Sequence, residues 1–227
     1  MQIIKLRMPV KVAVLCMSFL FFCGDAFPLS MVPVNLAQIV QYTEQAFVGT
    51  VLSSTTIQTP EGWGDQVVMR VTEPVLGAAR AGEQVQWVQA RSSEQAALPG
   101  MPQLQVGASH LIFLSAKVNG SPFQAPYALG QGTFAISQDE KTGESKARND
   151  FMNQNLFVGL DTTAIAKAVV EADAASKGLG TAEKALRASQ VHSNLQPGKS
   201  GSTSLAALKS AARTLKAQPG LGATGHI

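Results

Sequence analysis

The spacing of apolar positions changes period soon after residue 35, and that change organises the reading of the chain. Leu36, Ile39, Val40 and Thr43 align on one helical face, Glu44 and Gln45 lie beyond on the polar side, and Asn35 offers a capping side chain, so a short helix is predicted. Residues 46–52, Ala46-Phe47-Val48-Gly49-Thr50-Val51-Leu52, are β-branched and aromatic and predict a strand. The glycine inside it predicts a bulge or a close backbone approach. Pro60-Glu61-Gly62-Trp63-Gly64-Asp65 reads as a turn. Residues 66–73 then alternate, with Val67, Met69 and Val71 on one side and Val68, Arg70 and Thr72 on the other, as in a half-buried antiparallel strand ended by Pro74. A third strand is predicted over 83–90, with Val85 and Trp87 sharing a face.

His110-Leu111-Ile112-Phe113-Leu114 does not alternate, which predicts a central strand covered on both faces. Asn119-Gly120 is a turn signal. Gly130-Gln131-Gly132 introduces an alternating segment over 133–137, and residues 139–143 form the tip of a hairpin whose return arm is 144–148. Five or six short strands joined in this way predict a barrel or a sandwich. Beyond residue 160, alanine, serine, glycine and lysine dominate. Residues 162–177 have helical composition with Ile165, Val169 and Val170 on a stripe, and 181–189 form a weaker helix. Residues 196–202, containing Pro197-Gly198 and Gly201, predict a flexible linker. Leu205, Leu208, Ala212 and Leu215 recur at helical spacing in a final amphipathic helix, and the tail from Pro219 to Ile227 is expected to be disordered.

The amino terminus bears on compartment. Lys5, Arg7 and Lys11 precede an almost uncharged apolar run of 11 residues, Val12 to Phe22, and small residues follow at Gly24 and Ala26. That is the layout of a secretory signal, and the run is shorter than the roughly 20 residues a spanning helix needs. Cleavage after Ala26 makes Phe27 the first residue of a 201-residue mature chain. Cys23, directly after the apolar run, is a lipid-anchor candidate, but bulky Phe22 occupies the place where a lipoprotein signal carries a small residue. Both cysteines, Cys16 and Cys23, leave with the leader, so the mature chain has no disulfide and must fold on core burial, which about 200 residues allow. Three of the 18 basic residues and one of the 15 acidic ones also leave; a balance of 15 to 14 provides no electrostatic footprint for nucleic acid. The chain thus divides into a signal peptide (1–26), a β-rich domain (27–160), a helical Ala/Ser/Lys-rich region (161–218) and a tail (219–227).

Phe47-Val48-Gly49-Thr50-Val51, then residues 68–77 ending in Val75-Leu76-Gly77, then Gly107, Leu111-Ile112-Phe113-Leu114, Gly130-Gln131-Gly132-Thr133-Phe134-Ala135-Ile136 and Lys141-Thr142-Gly143, together resemble a family of exported bacterial proteins of unknown function. That family has a fold similar to the OB barrel, in the netrin-like and tissue metalloproteinase inhibitor variety. The resemblance covers residues 35 to about 160 and implies a mainly β protein: an OB-like barrel of five or six strands with a short helix before it and helices after it. Animal inhibitors of this fold present an amino-terminal cysteine to the zinc of their target. Phe27 has no thiol, so that mechanism does not carry over.

No local pattern spells catalysis. His110, His192 and His226 lack metal-ligand spacing, and Gly107-Ala108-Ser109-His110-Leu111 lacks the last glycine of a nucleophile elbow. Gly130-Gln131-Gly132 precedes a strand instead of a helix and reads as a bulge or tight turn, not a phosphate loop. Asp139, Glu140, Glu144 and Asp150 are interleaved with Lys141, Lys146 and Arg148, as on a solvated surface. No catalytic, cofactor or metal residues are therefore assigned. Trp63, flanked by glycines, is the candidate partner contact; its alternative is to fold over one end of a barrel. The expectation is a secreted or periplasmic, non-enzymatic module that binds an envelope or secreted protein, with neither nucleic acid nor a retained membrane span. The alternatives are an exported hydrolase whose site converges only in three dimensions, and a lipid-anchored envelope component through Cys23. Intact mass of the protein recovered from its producing cell is predicted to fit a chain beginning at Phe27; a retained Met1 or a lipid adduct on Cys23 contradicts it.

Overall fold

A computed structural model describes residues 32–177, 179–195 and 201–222. Seven strands form one antiparallel sheet: β1 (Thr43–Thr59), β2 (Gly62–Leu76), β3 (Gln84–Ala90), β4 (Ser109–Ser115), β5 (Thr133–Gln138), β6 (Ser145–Arg148) and β7 (Thr203–Ser204). Among the described residues four α-helices accompany it: α1 (Leu36–Gln41), α2 (Thr162–Lys177), α3 (Thr181–Leu195) and α4 (Leu205–Ala217). The hydrogen-bonded order is β3-β2-β1-β4-β5-β6-β7. Among the described residues β3 and β7 do not pair, so the sheet is open, and a closed ring of strands is not what forms. Among the same residues no helix is long and apolar enough to cross a membrane.

Helix α1 forms where the apolar spacing predicts it. Asn35 caps it: its side chain accepts from the Gln38 N–H (3.0 Å) while the Gln38 side chain accepts from the Asn35 N–H (2.9 Å). Leu36, Ile39 and Val40 are buried. Thr43, predicted on that helical face, instead begins β1, and its hydroxyl donates to the Ile39 carbonyl (2.6 Å).

Strands β1 and β2 are far longer than the predicted segments, 17 and 15 residues, and pair from Ala46↔Leu76 to Thr59↔Gly62. Gly49 sits at a register shift, where a Cβ would come within 2.8 Å of the Arg70 carbonyl oxygen, so close backbone approach excludes a side chain there. Pro74, expected to end β2, lies inside it opposite Phe47, beside another register shift, where a missing N–H is tolerated. Gly77, at φ +80°, follows the strand; a Cβ there would meet the Glu44 carbonyl oxygen at 2.5 Å.

The two faces of the sheet bury separate apolar clusters. Ala46 and Val48 of β1, Leu111 and Phe113 of β4, and Phe134 of β5 join Leu36 and Ile39 of α1, Ile165 of α2, and Leu205, Leu208 and Leu215 of α4. Phe47 and Val51, Val67 and Met69, Val85 and Trp87, and Ile112 and Leu114 form the other cluster, capped by Leu104. Strand β4 supplies side chains to both, as its unbroken apolar run predicts.

The helical region does not stand apart from this core. Helix α4, capped by Ser204, places Leu208, Ala211 and Ala212 at zero exposure against the sheet. Lys209 donates to Glu73 of β2, and Arg213 reaches both the Glu73 carboxylate (3.2 Å) and the Pro74 carbonyl (3.0 Å). Lys216 donates to the carbonyls of Val40 (3.3 Å) and Thr43 (3.2 Å). Pro219–Gly222, where a disordered tail is expected, form a 3-10 turn whose Leu221 packs on the first cluster. Residues 196–200 of the expected linker and 223–227 of the tail lie outside the described residues. Truncating Leu208 to alanine is expected to cost about 2–5 kcal/mol, as for a fully buried leucine; urea unfolding checks it, and a loss below about 1 kcal/mol would show that α4 is dispensable to the core.

Candidate functional site

Cys23, Ala26 and Phe27, the expected anchor and cleavage residues, lie outside the described residues, as does His226. Trp63 is not in a loop: it is the second residue of β2, paired with Gln58 of β1, and it is half-buried. The turn shrinks to Pro60 and Glu61 because pairing between the strands continues to Thr59↔Gly62. The backbone carbonyl of Trp63 accepts from the Arg91 N–H (2.9 Å). Its neighbour on the same face, Asp65, accepts at both carboxylate oxygens from Arg91 Nη1 (2.9 and 2.8 Å) and from the Thr56 hydroxyl (2.9 Å). Arg91 also donates to the carbonyls of Ser93 (3.1 Å) and Glu94 (3.1 Å), fastening the loop after β3. Ser121 donates to Glu61 (3.1 Å), tying the hairpin tip to the loop after β4. The far end of the β1–β2 hairpin is therefore held rigidly, by residues that no periodicity flags.

What this hairpin presents is an edge. Strand β4 pairs with β1 only from Thr43↔Ser115 to Thr50↔Ser109. Val51 exchanges two further bonds with the chain entering β4, its N–H to Ala108 (3.0 Å) and its carbonyl from Gly107 (2.9 Å). From Ser53 to Thr59, β1 pairs with β2 on one side and has no strand on the other among the described residues. Ser54, Thr55, Thr56 and Gln58 are exposed. Seven residues of strand present a backbone edge about 23 Å long.

Strand β4 carries His110 at 7% exposure. Among the described residues neither ring nitrogen has a hydrogen-bond partner, and burial pushes the imidazole below its ordinary value of 6.5. On β3, Trp87 Nε1 and Gln89 Oε1 are likewise buried without partners, while Gln89 Nε2 donates to the Pro102 carbonyl (3.2 Å). His192 lies on α3, far along the chain from His110. Among the described residues no three of His, Cys, Asp and Glu come together in a way that could hold a metal ion.

Gly130, Gln131 and Gly132 lie in a 3-10 turn, Leu129–Gly132, that leads into β5, as the tight-turn reading predicts. The turn is strained, with Ala128 and Leu129 both at positive φ (55° and 56°). It faces a second such pair, Met152 and Asn153 (52° and 56°), and a network the sequence patterns do not reveal joins them. Asn149 Nδ2 donates to the Gln131 carbonyl (3.1 Å), and its Oδ1 accepts from the N–H groups of Phe151 (3.1 Å) and Asn153 (2.8 Å). Asn153 donates to the Ala147 carbonyl (2.9 Å) and to Thr203 Oγ1 (3.3 Å). Asp150 lies against Gly130; partial desolvation holds its carboxyl above the ordinary range, with Arg148 pulling the other way. Every bond in this clasp goes to the chain itself, which makes it a fastening for β7.

The acidic hairpin tip is also internally engaged: Asp139 Oδ1 accepts from the N–H groups of Lys141 and Thr142 (3.0 Å each), and Glu144 pairs with Lys146 (2.6 Å). A cleft of about 590 Å³ runs between the helices, but Arg187 within it pairs with Asp173 (3.4 Å) and Glu183 (3.0 Å), and Arg213 with Glu73. Among the described residues, the outer edge of β1 over 53–59 thus presents an exposed run of strand backbone with no strand paired to it. In comparison with known proteins, no family model matches the chain and no curated protein matches it.

His110 sets a pH dependence. The folded imidazole binds its proton more weakly than the unfolded one, so the unfolded chain takes up the extra proton as pH falls below about 6.5, and folding stability drops across that window. Urea titrations from pH 7.5 to 5 are expected to show this fall in the wild type and a shallower one in His110→Phe; equal slopes in the two proteins would contradict it.

Proposed function

We propose that the protein is an exported, non-enzymatic binding module of the cell envelope or extracellular space, and that it takes an extended protein segment along the outer edge of β1. The observation that carries this reading is the uncommitted edge over residues 53–59, held rigid at its far end by the Asp65–Arg91 pair. Strand addition to such an edge draws affinity from main-chain bonds and selectivity from side chains on either face. Trp63 stands one strand back, beside Gln58, where a half-buried indole can anchor the face of an added strand.

The leader reading supports export, since positive charge, a short apolar run and small residues before Phe27 occur in the order a signal requires. The OB-like reading of the fold belongs to the same proposal. It is supported by five contiguous strands, β3-β2-β1-β4-β5, and by the apolar cluster that four of them build on one face. Likeness to the exported bacterial family is proposed on the same residues.

Immobilised wild-type protein is expected to retain a partner from envelope extract and to lose at least about tenfold in affinity for it on Trp63→Ala, the loss of a central aromatic anchor. Absence of any retained partner under mild conditions would sink the proposal.

A further inference from the structure

Two other margins of the sheet are partly covered among the described residues. The outer side of β3 is met by the loop after β4, where the Gln124 N–H donates to the Val88 carbonyl (2.8 Å), and by the bridge between Arg91 and Ala97. At the opposite end, β7 has only two residues, both buried. Exposed edges in soluble proteins are ordinarily blunted by charge, by proline, or by shortness. Residues 53–59, Ser-Ser-Thr-Thr-Ile-Gln-Thr, show none of these devices, and no charged residue occurs from Gln45 to Pro60.

Resting on the reading of this edge as a binding surface, we infer that its occupant is a second copy of this chain, whose own residues 53–59 pair antiparallel with it across a two-fold axis. The charge pattern selects this partner. Antiparallel pairing of identical segments sets each side chain against another from the same set, and because that set is uncharged, no register brings like charges together. An acidic or basic foreign strand, by contrast, meets no complementary charge anywhere along it. A register centred on Thr56 sets Thr55 opposite Ile57, Ser54 opposite Gln58 and Ser53 opposite Thr59, and the hydroxyl-bearing side chains can bond across the pair.

The slot is bounded at both ends. Gly107 and Ala108 occupy the edge at Val51, and the turn at Pro60 and Glu61 closes the other end, so the partner strand has one seven-residue berth. A two-fold contact uses the same patch on both copies and leaves no edge for a third. The product is a closed dimer that fuses two sheets, not a growing fibre.

Sedimentation equilibrium of the protein as recovered from its producing cell is expected to give twice the mass of that chain. In the register above, the two Thr55 side chains are diagonal neighbours on one face, so Thr55→Lys and Thr55→Glu should each weaken the dimer at least about fivefold. An equimolar mixture of the two variants should restore it, an outcome that misfolding of either variant would not produce. A wild type that stays monomeric up to the highest soluble concentration overturns the inference. So does a dimer that neither variant weakens, because association then runs through another surface. Either result leaves the capture of a foreign partner to be decided by the wild-type and Trp63→Ala comparison; failure of a wild type that is dimeric to retain any foreign partner would count against the wider proposal alone.

Discussion

Strand β4 is the constraint on which the rest depends. Leu111 and Phe113 point into the cluster beneath the helices while Ile112 and Leu114 point into the other, all four at zero exposure. A strand buried on both faces cannot slip by one residue without exchanging its entire side-chain sets between two cores. That fixes the register of β1, whose Ala46 and Val48 share one cluster with Leu111 and Phe113 while Phe47 shares the other with Ile112. From β1 the alignment passes to β2, and from β2 to β3.

The same arrangement accounts for the uncommitted edge. Strand β4 is only seven residues long, whereas β1 runs for 17, and among the described residues the excess length of β1 pairs with β2 alone. Apolar burial holds the first half of the hairpin. In the second half its place is taken by directional groups: the Asp65–Arg91 pair, the Thr56 hydroxyl and the Ser121–Glu61 bond. Charge-assisted contacts hold geometry well, which suits a segment with no large apolar core beneath it.

Where burial shapes an element, the sequence makes it readable. The cap at Asn35, the alternation of Val67, Met69 and Val71, the solid run over 110–114 and the stripe of Leu205, Leu208, Ala212 and Leu215 all correspond to observed elements, since each leaves a period in the pattern of apolar residues. Residues 53–59 leave no such period. They are strand because β2 lies beside them, and Ser, Thr and Gln record no buried face. Trp63 was misplaced for the same reason: its flanking glycines signal a turn, and pairing with Gln58 overrides them. The Asn149–Asn153 clasp was illegible because its partners, Gln131, Ala147 and Thr203, are brought together by topology across up to 50 positions. Of the candidate site, then, only the tryptophan was visible beforehand, and the edge beside it was not.

The clasp carries a consequence for how the chain acquires its shape. Thr203 and helix α4 close a cluster whose other members, such as Leu36 and Ala46, lie near the opposite terminus. During synthesis the part of the cluster that α4 covers therefore stays open until residues 203–217 have emerged, and loop-closure entropy must be met before those contacts reward it. Docking of α4 is thus the step that seals this side of the sheet.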